Sequence, residues 1–292
     1  MIKNPKVSVT VMTYNQKDYI SQCLESLVTQ ECDFEFEIIV GDDASTDGTS
    51  DIVREYAEKY PNIVIPLIHE KNLGVTGNYF SIVELATGDY IAHMDGDDYA
   101  LPGKLQAQAD FMDNTPDCNI CFHRVKALFP DGTIKNDLID YKKIKDGFER
   151  KDLLMYMAVA THSSKMYKKE IKNFDTPDFD ILDFYVNVEQ IKDKKVYFIS
   201  DKIYGAYRIG VGISTNAKPV IKTAIYESLI LFSKKYKNEK KYINSMFLVL
   251  FLADLKNGRN FLLYMKGWLK SFCFNSILLT IKTWKTRRMF GV

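Results

Sequence analysis

Apolar and polar positions change their period repeatedly along the first third of the chain. Val7 to Met12 alternates and is rich in β-branched residues, which predicts a strand. The polar loop Thr13-Tyr14-Asn15-Gln16 follows. From Tyr19 to Thr29 the apolar residues Ile20, Cys23, Leu24, Leu27 and Val28 take helical spacing. The exchange recurs with a strand at Phe36–Val40, a helix over Thr49–Tyr60 with Pro61 beyond its end, and a strand at Val64–His69. A helix over Asn78–Ala86 then closes on Thr87-Gly88-Asp89, and the strand Tyr90–Met94 runs into Asp95-Gly96-Asp97-Asp98, before a helix at Leu105–Met112. Strands alternating with helices predict parallel βαβ units in an open α/β sheet. Such sheets bind ligands outside the carboxyl ends of their strands. Thr13-Tyr14-Asn15, Asp42-Asp43-Ala44-Ser45 and Asp95-Gly96-Asp97-Asp98 each follow a strand, so a parallel sheet brings these loops to one edge.

From Asn119 the pattern loosens. Asn119–Phe129 and Val196–Ile199 read as strands, and Lys151–Ala158 and Phe184–Gln190 as helices. From about Lys218 long apolar stripes with basic edges take over, which places a boundary near Ala217–Pro219: residues 1–217 as one α/β unit (1–98 and 99–217 as its halves) and 218–292 as a helical extension. The chain of 292 residues carries a net charge of only +1, so nothing points to nucleic acid as a partner. The charge is unevenly spread. No acidic residue follows Asp254, while Lys256, Arg259, Lys266, Lys270, Lys282, Lys285, Arg287 and Arg288 do. Five cysteines, an odd number in a long chain, argue against a disulfide framework and for a reducing, cytoplasmic setting. The N-terminus lacks an apolar signal core, and the longest apolar run, Met246–Ala253, is too short to span a bilayer.

Three carboxylates after a buried strand cost electrostatic energy unless a positive charge neutralises them. A hard divalent cation, Mg²⁺ or Mn²⁺, does so and brings a diphosphate with it. An isolated Asp-x-Asp is more often a solvated turn; its place after a buried strand beside two other polar strand ends is what changes the reading. An EF-hand reading of the loop from Asp43 fails, because its twelfth position is Arg54 where a bidentate Glu is needed.

The chain resembles the inverting family-2 glycosyltransferases of the GT-A fold. The resemblance runs through Val7–Asn15, Ile38–Thr49, Asn72-Leu73-Gly74 and Gly88–Asp98 with Pro102, and covers about Lys6 to Ser214. It implies a mixed, mostly parallel Rossmann-like sheet flanked by helices. It also implies transfer of a hexosyl or N-acetylhexosaminyl group from a nucleotide-diphosphate donor to a hydroxyl of a saccharide or lipid-linked saccharide, in surface polysaccharide or glycolipid synthesis. Thr13, Tyr14 and Asn15 would line the nucleotide. Asp43, with Asp42 as its rival, would accept from the base N3–H, which favours UDP. Asp95 would touch the donor, and Asp97, with Asp95, would hold the metal. Asn78 matches a donor-side asparagine; the basic residue many relatives carry before it is replaced by Gly77, which leaves Lys71 or the metal to meet the phosphates.

The resemblance puts the catalytic base at the start of a helix well after the metal motif. Asp183 fits this best and Asp180 second; an N-cap role for Asp183 is the structural alternative. Tyr207–Ser214 resembles the mobile segment after the last strand, with Arg208 reaching the diphosphate. His162 falls on the acceptor side. His123 reads as structural, and Cys118-Asn119-Ile120-Cys121 as buried strand cysteines, since no second ligand pair accompanies them. Trp268, Leu269, Phe272, Cys273, Ile277, Ile281 and Trp284 form an apolar stripe with basic flanks, either a basic amphipathic helix on an anionic membrane or one packed on the catalytic body. Two rivals stand beside the transferase. A sugar-phosphate nucleotidyltransferase would need a Gly-rich basic loop after the first strand, and Thr13-Tyr14-Asn15-Gln16 is not one. A non-catalytic carbohydrate-binding protein has no use for Asp43, Asp97 and Asp183 together.

Overall fold

The computed structural model describes residues 4–157, 159–211 and 218–284, without the side chains of 143, 218 and 219. The first three predicted βαβ units form as expected: β1 (Val7–Thr13), α1 (Lys17–Val28), β2 (Phe36–Asp42), α2 (Thr49–Lys59), β3 (Val64–Ile68), α3 (Gly74–Leu85) and β4 (Tyr90–Asp95). Helix α3 starts a turn before the predicted Asn78. The Asp43 carboxylate accepts from Leu73 N–H at 2.7 Å and the Asn72 side-chain oxygen from Gly74 N–H at 3.0 Å, so side chains outside the helix satisfy donors at its amino end.

The chain continues through β5 (Tyr99–Ala100), α4 (Lys104–Asp113), β6 (Cys118–Leu128), β7 (Ile134–Asn136), α5 (Tyr141–Ile144), α6 (Arg150–Tyr156), β8 (Met166–Lys168), α7 (Asp183–Gln190) and β9 (Lys195–Arg208). It ends in α8 (Lys218–Lys235), α9 (Lys240–Lys256), α10 (Leu262–Lys270) and α11 (Phe274–Thr283). The strands make one 9-stranded sheet in the order β3-β2-β1-β4-β8-β6-β9-β5, with β7 paired to β6. Strands β3, β2, β1 and β4 are mutually parallel; β8 then runs antiparallel to both β4 and β6, and β9 is parallel to β6.

Both faces of the sheet are covered, so β2 is buried along its whole length. Ile38 and Val40 join Ile20, Leu24 and Leu105 on one side; Ile39 faces the other with Ile82, Phe122 and Tyr185. Ile225, Leu229, Phe232, Met246 and Phe247 of α8 and α9 belong to that second cluster, so the helical extension shares the apolar core of the sheet.

Two sequence expectations change. β9 reaches fourteen residues, through Ser200-Asp201-Lys202, so Tyr207 and Arg208 end a strand rather than lie in a mobile segment after one. Gly212–Ser214 of that segment lie outside the described residues. The apolar stripe at Trp268–Trp284 is not one helix: α10 stops at Lys270 and α11 starts at Phe274. Lys285, Arg287 and Arg288 lie outside the described residues.

Candidate active site

Parallel pairing puts the ends of β1, β2 and β4 side by side, with Thr13 opposite Asp42 and Met12 opposite Asp95. The three polar loops therefore meet at one edge. Gly96 donates its N–H to Met12 C=O at 2.8 Å, and a Cβ there would stand 2.6 Å from Gln16 Oε1 and 2.9 Å from Thr13 Cβ. Only glycine permits that approach. Thr13 Oγ1 and Gln16 Oε1, both buried, have no hydrogen-bond partner among the described residues.

The side chains at this edge divide into those that hold the loops and those that face the cleft. Asn15, in the left-handed region at φ 51°, accepts from Thr46 N–H at 2.9 Å, and its own N–H donates to Ser45 Oγ. Asp42 is fully buried and accepts from Ser45 and Ser50 hydroxyls. Asn78 lies beneath β2, its amide on Gly41 C=O at 2.9 Å and its oxygen 3.2 Å from His69 Nε2. These three brace the edge from within. Tyr14 and Lys71 are exposed. Asp43 is buried, with one oxygen on Leu73 N–H.

The acidic motif is not a loose turn. Asp98, fully buried, accepts from Ser163 Oγ at 2.5 Å and from Arg208 N–H at 2.8 Å, tying the motif to the turn before β8 and to the end of β9. Burial, then Asp95 and Asp97, pushes its carboxyl well above the usual range. Asp97 is pushed up to about 6 by burial and by Asp95. The Arg208 guanidinium sits on Asp97 C=O and Gln22, over the Tyr19 and Tyr99 rings at 4.9 and 5.5 Å. It is thus stacked and fixed beside the motif.

The remaining carboxylate arrives through histidines. His93, buried on β4, places Nε2 3.2 Å from Asp95 Oδ1. Its ring stacks on His162 with centroids 3.6 Å apart, and His162 Nδ1 lies 3.3 Å from Asp183 Oδ1. Burial, followed by the neighbouring His93 and Lys165, holds His162 well below the usual imidazole value. The neutral ring stands against the Asp183 carboxylate without a hydrogen bond between them, and its Nε2 is buried without a partner among the described residues. Asp183 opens α7, but the cap position is Leu182, and the Asp183 side chain is 55% exposed. Its carboxyl is pushed up to about 6, by burial and then by Asp95. Asp180 is exposed as well but lies outside this network. The Tyr207 phenol is pushed up to about 12 by burial and then by Asp98, Asp95, Asp97 and Asp183, so all four carboxylates act on one point.

His93, Asp95 and His162 bring three potential ligand atoms within 4.8 Å of one another, the grouping of this kind found among the described residues. It shares Asp95 with the expected pair but not Asp97.

Sequence reasoning missed the supports. Ser163 hydrogen-bonds Asp95 and Asp98. Lys104, fully buried, donates to Ser163 C=O at 2.8 Å, and burial brings it down to about 8. Lys165, also fully buried, donates to Gln190 at 2.6 Å and is brought down to about 7. Nothing in the local pattern separates these lysines from surface ones; His93 alone left a signal, as a polar residue inside a strand flanked by Ala92 and Met94. His123 is buried with Nδ1 on Arg124 C=O, and Cys118 and Cys121 are buried in β6, as expected.

The sequence model of glycosyl transferase family 2 matches residues 8–174. An uncharacterized glycosyltransferase of Methanocaldococcus jannaschii is 30% identical over 251 residues, 83% of each chain. An uncharacterized protein of Mycobacterium tuberculosis is 32% identical over 184 residues, 62% of this chain and 53% of the relative, so the chain spans about half that protein's length. Among solved structures, S. aureus TarS residues 1–349 in complex with UDP-GlcNAc superposes with a TM-score of 0.64 at 21% identity, over 82% of this chain and 70% of that one. At that identity the likeness is one of fold.

Proposed function

The chain belongs to glycosyl transferase family 2, and on that premise we propose that it moves a sugar, with inversion, from a nucleotide-diphosphate donor to a hydroxyl of a saccharide or lipid-linked saccharide. The observation that carries this reading is the Asp183–His162–His93–Asp95 connection, which sets a solvent-reached carboxylate beside a donor-side acidic motif.

The donor lies across the ends of β1, β2 and β4. Asp43 keeps one oxygen on Leu73 N–H and gives the other to the base N3–H, which favours uracil. TarS, whose fold the chain shares, has been crystallised with UDP-GlcNAc. Thr13 and Tyr14 flank the nucleotide, while Asn15, Asp42 and Asn78 act by fixing the loops. Arg208 faces the diphosphate side, and Lys71 supplies a second cation. Buried acids pushed upward, with oxygen ligands at Asp97 and Asp95 and unpartnered Thr13 Oγ1 and Gln16 Oε1 beside them, fit a hard divalent ion. Asp97 and Asp95 would hold Mg²⁺ or Mn²⁺ there, which would supply positive charge against the departing diphosphate. Asp183 takes the acceptor's hydroxyl proton as that oxygen bonds to the anomeric carbon and the carbon–diphosphate bond breaks. His162, near the acceptor, packs its ring against Asp183 and His93 and so positions the base.

A donor screen tests the proposal. Nucleotide sugars are compared for thermal stabilisation and hydrolysis with Mn²⁺, and UDP-sugars are expected to give the largest response. A panel in which no nucleotide sugar stabilises the protein or is turned over defeats it.

A further inference from the structure

The last helix is polar inside and apolar outside. α11 buries Ser276 and Thr280, whereas Phe274, Leu278 and Ile281, spaced as one stripe on the opposite side, are 68, 60 and 71% exposed. The inward residues form a hydrogen-bonded seam with α9. Asn244 Oδ1 accepts from Ser276 Oγ at 2.6 Å and its amide donates to Trp268 C=O and Ser271 Oγ; the Ser245 and Thr280 hydroxyls lie 2.6 Å apart. A helix on a water-facing surface has the reverse arrangement. Polar contacts between helices with apolar residues outward suit a hydrocarbon surrounding. The C-terminal helices also expose Leu255, Leu262, Leu269 and Phe272, and Leu248, Leu252, Ile277, Thr280, Ile281 and Trp284 line an apolar groove of about 500 Å³ between α9 and α11.

Charge selects the occupant. Lys256, Arg259, Lys266, Lys270 and Lys282 are exposed on these same helices and the turn after α9, and the sequence has no acidic residue after Asp254. A second copy of the same face would bring like charge against like. No described helix is long and apolar enough to cross a membrane. We propose that α10 and α11 lie in the headgroup region of an anionic bilayer, with the α9–α11 groove open to an acyl chain and the lysines on the headgroups. The inference does not depend on the transferase reading.

The test uses the full chain and phosphatidylcholine vesicles with or without phosphatidylglycerol. The wild type is expected to sediment with the anionic vesicles, less so at high salt, and its tryptophan emission to shift to the blue. Phe274→Ser/Leu278→Ser/Ile281→Ser and Lys266→Glu/Lys270→Glu/Lys282→Glu are each expected to weaken binding by about tenfold or more. Both sets lie on the surface, so the melting temperature and donor hydrolysis are expected to hold. A wild type that stays in the supernatant with unshifted emission overturns the proposal. So does vesicle binding that survives both sets, or an apolar set that instead converts a dimer to a monomer.

Discussion

The strand-end cleft and the C-terminal helices break the ordinary burial rule in opposite directions. In the cleft, Asp97, Asp98, His93, Lys104 and Lys165 are buried, where charged and polar groups cost most. In the extension, Phe274, Leu278 and Ile281 stand in water while Ser276 and Thr280 are inside. The cleft is closely partnered by Ser163, Arg208 and Gln190, yet its carboxyls at Asp97 and Asp183 still rise to about 6, which marks charge not compensated by the protein alone. The extension satisfies every named polar group of its seam and leaves its apolar surface uncovered. The first region gathers like charge that its own side chains do not offset, and the second leaves apolar surface exposed.

That contrast breaks most readily at Asp183. Asp183→Asn is expected to lower turnover by about 10²–10⁴-fold while donor affinity stays within a few-fold, because the base meets only the acceptor proton; a steady-state assay beside calorimetry checks both. Asp97→Asn is expected to reduce Mn²⁺-dependent donor binding by about a hundredfold. Its stability effect runs the other way. A carboxyl whose folded-state value is raised destabilises the fold most above pH about 6, so the metal-free variant is expected to melt no lower than the wild type at neutral pH. With saturating Mn²⁺ and donor, the rate is expected to fall as pH drops through about 6, where Asp183 takes up its proton; a flat profile down to pH about 4.5 counts against the base assignment. His162→Phe keeps a ring against His93 but removes the polar nitrogen that stands 3.3 Å from Asp183. It is expected to cost about tenfold in kcat with little change in KM, and to move the acid limb upward. The smallest effects lie in the extension. Ser276→Ala, which removes a buried donor, is expected to cost about 1 kcal/mol, whereas Leu278→Ser is expected to stay within about 0.5 kcal/mol in water. An amphipathic helix of ordinary polarity gives the opposite ranking in a melting experiment.

The parallel half was readable because β1, β2 and β4 carry their own period and end in loops of unlike composition. The second half was less so. β5, β7 and β8 are two or three residues long, too short for any period to register. β9 was read only as far as Ile199, because Ser200-Asp201-Lys202 interrupts its apolar pattern while its pairing with β6 continues across register shifts. Asp95 and Asp97 stood out by their place after a buried strand, and Asp183 was named through the family resemblance. Their connection was not legible, since the His93–His162 stack joins β4 to a turn before β8 and exists only once β8 pairs between β4 and β6. Asn15, Asp42 and Asn78 read as donor contacts in one dimension; the hydrogen bonds by which they also fix the loops were visible only in three. The stripe at Trp268–Trp284 was visible as composition, but which side faced the protein was not.

The central claim is that the strand-end edge holds a nucleotide diphosphate with a divalent ion, and that Asp183 stands apart from that binding. Calorimetric titration of UDP with Mn²⁺ into the wild type, Asp97→Asn and Asp183→Asn tests it most directly. The account predicts binding to the wild type, the same binding to Asp183→Asn, and its loss in Asp97→Asn or on chelation. Equal binding to all three proteins, or none to the wild type with any nucleoside diphosphate, would contradict it.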